Sequence, residues 1–371
     1  GELGVIPEDR FLGEPGDGPI EAGVLGHQLE FRRDLNADWD LLVGLGYRET
    51  SLSGFSTEPE LSGSRQRLPL DGRTLTRQRR FRDYDAEYVV GRIELGGRFE
   101  TGGLEHRVLL GMDTDQFEYD QYFERYRAPS LAADPTLEQS FVIDILAPVY
   151  GQFPLPETSL LTDRVETIGS TGVYLQDQIA VTERFQLRLG LRWDAFEQEL
   201  DDRRSGVQRD SSDDRFTPQV GAVFALRENL AVYASHARGF RANTGADAAG
   251  EPFDPNESSS TELGLKFENV AGFTGTLTAF YVEQSNILTF DPLNPFFLID
   301  AGEAESRGLE FDAAGQVAGV DVALSWSWID AEVTEDVLDP NFGLVVNAGD
   351  RLLNVPEQSL SLQLADRKSV V

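Results

Sequence analysis

The chain has 371 residues, no cysteine, and 64 acidic against 32 basic residues, for a formal net charge of −32. Such a polyanion repels nucleic-acid phosphates, and it can hold neither a disulfide framework nor a cysteine-based zinc site. No run of about 18 apolar residues occurs, which excludes a helical membrane span but not a β-barrel, whose strands alternate lipid-facing and lumen-facing side chains.

The opening stretch, GELGVIPEDRFLGEPGDGP, reads as loop and shows no signal-peptide pattern, so the start is expected to be processed, trimmed or incomplete. From there a period of two dominates. Turn signals divide the chain into about thirteen strands, near 22–34, 39–53, 81–99, 104–122, 165–182, 185–200, 214–226, 230–240, 257–268, 273–290, 297–314, 319–332 and 353–365. Val108, Leu110 and Met112 form an apolar stripe. The clearest case is Phe185 to Asp194: Phe185, Leu187, Leu189, Leu191 and Trp193 share one face, and Gln186, Arg188, Gly190, Arg192 and Asp194 the other. A helix scatters these residues around its circumference, whereas a strand separates them completely. Leu263, Leu265 and Phe267 repeat the pattern, as do Val320, Val322, Leu324, Trp326 and Trp328.

Connections alternate strictly between short and long. Short turns fall near Asn36, Gly102, Thr182, Glu228, Asn269 to Gly272, and Gln316 to Gly319; long loops fall near 54–80, 123–164, 201–213, 241–256, 291–296 and 333–352. A meander with its short turns at one end and its long loops at the other is the layout of outer-membrane barrels, and a soluble sandwich or propeller has no reason to keep that order.

Trp193, Trp326, Trp328, Tyr281 and Tyr174 are candidates for the aromatic girdles that settle at headgroup level. Tyr119, Tyr122, Phe123 and Tyr126 sit where a strand rises into a long loop and form one candidate ligand-binding cluster, since aromatic rings and tyrosine hydroxyls suit an organic chelate; an interface girdle or loop packing is the alternative. Arg238, Phe240 and Arg241 form a second, in which Arg could meet an anionic complex; a structural ion pair with the abundant carboxylates is the alternative. The pairs Asp113 and Asp115, Asp201 and Asp202, and Asp213 and Asp214 lack the glycine and carbonyl spacing of a calcium loop and read as solvated charge. His27, His106 and His236 are isolated in sequence. No metal site, cofactor or catalytic constellation is expected.

Several short motifs, in order along nearly the whole chain, resemble TonB-dependent siderophore receptors of the ferrichrome-receptor type: Arg10 to Pro15 (RFLGEP), Gly172 to Thr182 (GVYLQDQIAVT) with Gly190 to Asp194 (GLRWD), Ser235 to Gly245 (SHARGFRANTG), Asp254 to Glu257 with Glu262 to Lys266, Asn286 to Leu288 with Asp291-Pro292, Ser306 to Glu310 (SRGLE) and Asn354 to Glu357 (NVPE). The resemblance implies an all-β, antiparallel transmembrane barrel that is incomplete, about 13 of 22 strands, with the plug domain and TonB box absent. Residues 1–365 are expected to form this partial barrel and 366–371 an artificial tail. It implies a receptor in the outer membrane of a Gram-negative bacterium, not an enzyme, that imports a ferric siderophore with energy from TonB acting through the plug. The expected setting is a monomer in outer-membrane lipid and lipopolysaccharide. Alternatives are a passive porin, a receptor for another scarce nutrient such as cobalamin or oligosaccharide, a barrel enzyme, and a soluble β-rich binding protein.

Overall fold

The computed structural model describes residues 6–7, 10–243, 247, 253–291, 298–338, 345–352 and 354–366. The expected tail beyond Asp366 and the expected strand starts at 297 and 353 lie outside these residues. In chain order the strands are β1 (Glu21–Asp34), β2 (Trp39–Pro59), β3 (Thr74–Leu75), β4 (Arg77–Thr101), β5 (Leu104–Tyr126), β6 (Ile143–Asp144), β7 (Ser159–Ala180), β8 (Phe185–Asp202), β9 (Val207–Arg227), β10 (Leu230–Arg241), β11 (Asn256–Val270), β12 (Phe273–Phe290), β13 (Leu298–Val317), β14 (Val320–Val333), β15 (Val337–Leu338), β16 (Val345–Val346) and β17 (Gln358–Asp366). One four-residue helix, α1 (Leu68–Asp71), lies in a loop.

Thirteen strands form one antiparallel sheet in the order β1-β2-β4-β5-β7-β8-β9-β10-β11-β12-β13-β14-β17. Every neighbour in it is the next long strand along the chain, the expected meander. The sheet is open: β1 and β17 are its two edges. The remaining four strands make two small ladders in the loops, β3 with β6 and β15 with β16.

The short turns are built as their residues require. Ala271-Gly272 and Ala318-Gly319 have positive φ at both residues, 53° and 85° and 50° and 85°, as does Gly102-Gly103 at 58° and 82°. That is the mirror-image two-residue turn whose twist matches the flanking strands. At the β1–β2 turn the Asn36 side chain accepts from the N–H groups of Asp38 and Trp39.

The two faces of the sheet can be told apart by coverage. On upper β4, Asp83, Asp85, Glu87 and Val89 are exposed, while Tyr84, Ala86, Tyr88 and Val90 between them are half-buried. A sheet curling toward a barrel crowds its concave side, so the second set faces inward. Register carries this assignment from strand to strand, because residues directly opposite share a face. Outward on adjacent strands lie Leu110, Leu175 and Leu191, joined row by row to Met112, Val173 and Trp193. The outward stripe of β8 from Phe185 to Trp193 runs about 27 Å along the strand at about 3.4 Å per residue, which suits a tilted crossing of the hydrocarbon layer. Leu29, Leu45, Leu263, Leu360 and Leu362 on the same face are each more than half exposed, a state water punishes and lipid does not.

The apolar band ends at one level. Above it the outward residues turn polar on β4, β8, β9 and β14: Glu87 lies beyond Val89, Glu197 beyond Trp193 and Ala195, Asp214 beyond Phe216, and Asp330 beyond Trp328. Trp193, Trp326, Trp328 and Tyr281 lie on the outward face near this boundary, as expected of a girdle. Tyr174 is a correction. Its register partners Gly111 and Arg192 put it inward, where its hydroxyl donates to Glu94 at 2.7 Å.

Several strands run well past the band, which the sequence did not delimit: β2 continues to Pro59, β4 starts at Arg77 and β7 at Ser159. The expected loop at 201–213 is a turn at 203–206, because β8 and β9 stay paired from Asp194↔Arg215 to Asp202↔Val207. Asp201, Asp202 and Asp213 therefore belong to strands and not to a loop, while Asp113, Asp115 and Asp214 lie in β5 and β9 as expected. Among the described residues no group of three or more His, Cys, Asp or Glu is placed to hold a metal.

The wall has no apolar interior of its own. The small core packs under the loops: Leu75, Ile143 and Ile145 are buried, with Ile6, Leu12 and Leu68 against them.

Candidate ligand vestibule

At membrane level the inward face is a polar lattice. Arg192 meets the Asp113 carboxylate through both terminal nitrogens, at 2.7 and 2.6 Å, and reaches Asp194 through Nε at 2.7 Å. Its guanidinium also lies 5.2 Å from the Tyr174 ring centre. Glycine makes room for this: a Cβ on Gly111 meets the Tyr174 ring at 2.2 Å, and one on Gly172 meets Arg192 at 2.0 Å. Arg92 reaches across from β4 to Glu30 on β1 at 3.0 Å. Such a lattice ties neighbouring strands together on the side where water or another domain can satisfy the remaining lone pairs.

Above the band the inward face changes character. Tyr84 and Tyr119 meet edge to face at 5.8 Å, and Tyr119 stacks with Phe117 at 6.2 Å. Arg80 and Arg82 both stand over the Phe123 ring at 5.8 Å. Glu58 on β2 accepts from Arg82 at 2.7 Å and lies 3.1 Å from Arg80. The result is a wall of aromatic rings and guanidiniums facing the concavity, with the loops 60–76 and 127–158 at its top.

The loops are held as one body. Arg77 is 2% exposed; it donates to the carbonyls of Gly13 at 2.7 Å and Phe141 at 3.0 Å, pairs with Glu14 at 3.2 Å, and covers the Phe141 ring at 4.4 Å. Arg79 pairs with Asp17 at 2.7 Å. Glu60, 2% exposed, takes Arg127 on both oxygens at 2.8 and 2.9 Å and caps the N–H of Ser62 at 2.9 Å. Burial pushes its carboxyl up, but Arg127 and the Ser62 N–H outweigh that and hold it below the usual glutamate range.

Of the seven residues singled out in the sequence, Tyr119 and Phe123 face inward on this wall. Tyr122 and Tyr126 alternate with them and face the other way: the Tyr122 hydroxyl donates to Glu124 at 2.6 Å, and that of Tyr126 donates to the Gln139 carbonyl at 2.7 Å. Arg238, Phe240 and Arg241 top β10, which three strands separate from β5. Arg238 and Arg241 are exposed, and Phe240 stacks on Phe196 of β8 at 5.6 Å. The two clusters are therefore not one site. Tyr84, Phe117, Arg80 and Arg82 were missed. The signal for them was available: counting upward from the Gly102-Gly103 turn sets Arg82 opposite Phe123 and Tyr88 opposite Phe117.

The sequence matches the family described as TonB dependent receptor-like, beta-barrel, over residues 3–367. The chain belongs to that family. Barrels of this kind sit in the outer membrane of Gram-negative bacteria. The chain is 33% identical over 97% of its length to the metal-pseudopaline receptor CntO of Pseudomonas aeruginosa, covering 49% of that protein. It is 28% identical over 66% of its length to the ferrichrome outer membrane transporter/phage receptor of Escherichia coli, covering 32% of it. Among solved structures it superposes on the siderophore receptor PiuA from Acinetobacter baumannii with a TM-score of 0.82 at 21% identity, over 96% of this chain and 54% of that one. The chain thus spans about half the length, or less, of these relatives.

Proposed function

We propose that this barrel wall serves an outer-membrane receptor that imports a ferric siderophore, with energy delivered by TonB through a plug. No bond is made or broken in such a process, so the protein is a transporter and not an enzyme, with the chelate as cargo and no resident cofactor. The observation that carries the reading is the pairing of an apolar outward band with an inward aromatic and cationic wall at the loop end. An unselective porin needs no such ring cluster. Residues 1–365 supply the wall, and Tyr119 and Phe123 are the singled-out residues that touch the ligand. Tyr122 and Tyr126 support the loops, and Arg238, Phe240 and Arg241 line a separate part of the rim. The setting is a monomer in outer-membrane lipid and lipopolysaccharide.

A second reading is favoured by one finding. The relative at 33% identity is named for a metal-pseudopaline complex and its name does not specify iron; on this reading the cargo is a chelate of a metal other than iron. Uptake of radiolabelled iron and of radiolabelled nickel or zinc, in cells with and without the complete gene, separates the two. Loss of iron uptake in the deletion strain supports the first reading, and loss of nickel or zinc uptake alone supports the second. No change in either overturns both.

A further inference from the structure

The chain carries a net charge of −32, yet at the top of β4 and β5 its charges are sorted. Above the apolar band the outward face shows exposed Asp83, Asp85 and Glu87 on β4, Glu118 on β5, and Glu197 and Glu199 on β8. At the same height the inward top of β4 and β5 carries guanidiniums. Arg80 and Arg82 share the single carboxylate of Glu58, at 3.1 and 2.7 Å. Arg125 sits directly opposite Arg80 in register, and the charges acting on it are Arg127, Arg80 and Arg65 against one carboxylate, Glu60. Five guanidiniums thus meet two carboxylates. Among the described residues Arg125 has no ion pair, and the Nε of Arg80 is buried without a hydrogen-bond partner.

An excess of half-buried positive charge is costly. Each guanidinium loses water, and neighbours repel one another across one strand spacing. The arrangement becomes favourable when an anion enters, since a guanidinium fork makes short charge-assisted bonds to planar oxyanions. The aromatic rings beside it, Tyr84, Tyr119 and Phe123, supply a flat apolar surface at the same place. The acidic outer wall reinforces the effect, because it leaves the concavity as the place where an approaching anion is attracted.

We propose that the vestibule selects metal chelates of net negative charge, whose oxyanions bind the Arg80, Arg82 and Arg125 cluster, and discriminates against neutral chelates. This rests on the receptor reading above and narrows its cargo.

The test uses the complete gene product containing these 371 residues, refolded in detergent and checked for heat-modifiable mobility. Intrinsic fluorescence quenching follows binding of two probes: the trianionic iron(III) tris-catecholate complex and the neutral iron(III) tris-acetohydroxamate complex. The trianionic complex is expected to bind at least about tenfold more tightly, a preference that falls as salt rises. In the Arg80→Gln, Arg125→Gln double variant the ratio of the two affinities is expected to shrink by about tenfold. If the double variant fails to refold, Arg125→Gln alone and the salt series on the unaltered protein carry the test. Equal binding of the two probes, or a preference that survives the substitutions and high salt, overturns the proposal and leaves the receptor reading standing. If neither probe binds and cells take up no iron, nickel or zinc chelate through the protein, the receptor reading falls and takes the proposal with it.

Discussion

Arg77 shows how much one buried charge can organise. It has carbonyls from two separate segments, a carboxylate from the first of them and an aromatic ring around it, so nearly all of its hydrogen-bonding capacity is met without water. Replacing it by Ala leaves Glu14 buried and unpaired, a loss of about 3–5 kcal/mol that falls on the loops and not on the wall. In the complete gene product, Arg77→Ala is expected to raise protease cleavage within 127–158 sharply while the barrel keeps its heat-modifiable mobility. Glu60 gives a pH-dependent counterpart. Its carboxyl is held below the usual glutamate range in the folded loops, so its contribution is complete above the unfolded value and is lost as pH falls through the folded one. Hydrogen-exchange protection of 60–66 is therefore expected to be flat above about pH 5 and to decline in the acid range below about pH 4. Glu60→Gln lowers protection at neutral pH and removes the decline. A decline of the same size in Glu60→Gln assigns it to other carboxylates. None of this was legible beforehand. RFLGEP could be seen in the sequence, but that its glutamate meets an arginine 63 positions away depends on where β4 begins.

At the scale of the strand, legibility followed the solvent. Where one face meets lipid and the other water, the alternation is sharp, and β8, β10, β11 and β14 begin within a residue of where the pattern puts them. Above the band both faces are polar, the period of two loses its contrast, and β2, β4, β7 and β9 extend several residues beyond the expected limits. The same loss of contrast hid half of the aromatic wall. Tyr119 and Phe123 were found as members of a local cluster, whereas Tyr84, Arg80 and Arg82 lie on the other side of a hairpin and needed the register. The faces give a direct test on one strand. Leu189, outward in the middle of the β8 stripe, is replaced by Arg at an expected cost of about 2–4 kcal/mol in a refolding titration of the complete gene product into lipid. Glu197→Arg, on the same face but above the band, is expected to cost less than about 1 kcal/mol. Equal costs at the two positions would remove the boundary between Trp193 and Glu197.

The whole sheet is governed by its edges. β1 and β17 close the series at either side, and each presents an unpaired row of backbone N–H and C=O groups. In hydrocarbon every such group left without a partner costs several kcal/mol, so an open sheet of thirteen strands is no stable membrane structure, however good its inner ladders. The relatives resolve the difficulty by length. This chain covers 49% of the metal-pseudopaline receptor and 54% of the PiuA structure, and transporter barrels of this class close with 22 strands. Expressed by itself, the 371-residue segment is expected to enter inclusion bodies and, after refolding in detergent, to run on gels at one position whether or not it is heated. Co-refolded with a polypeptide carrying the remaining strands of the complete gene product, it is expected to regain a heat-sensitive fast band. A fast band from the segment alone would mean that β1 and β17 can find each other and close a smaller ring. The wall would then curl more tightly, and the distances across the vestibule would have to shrink with it.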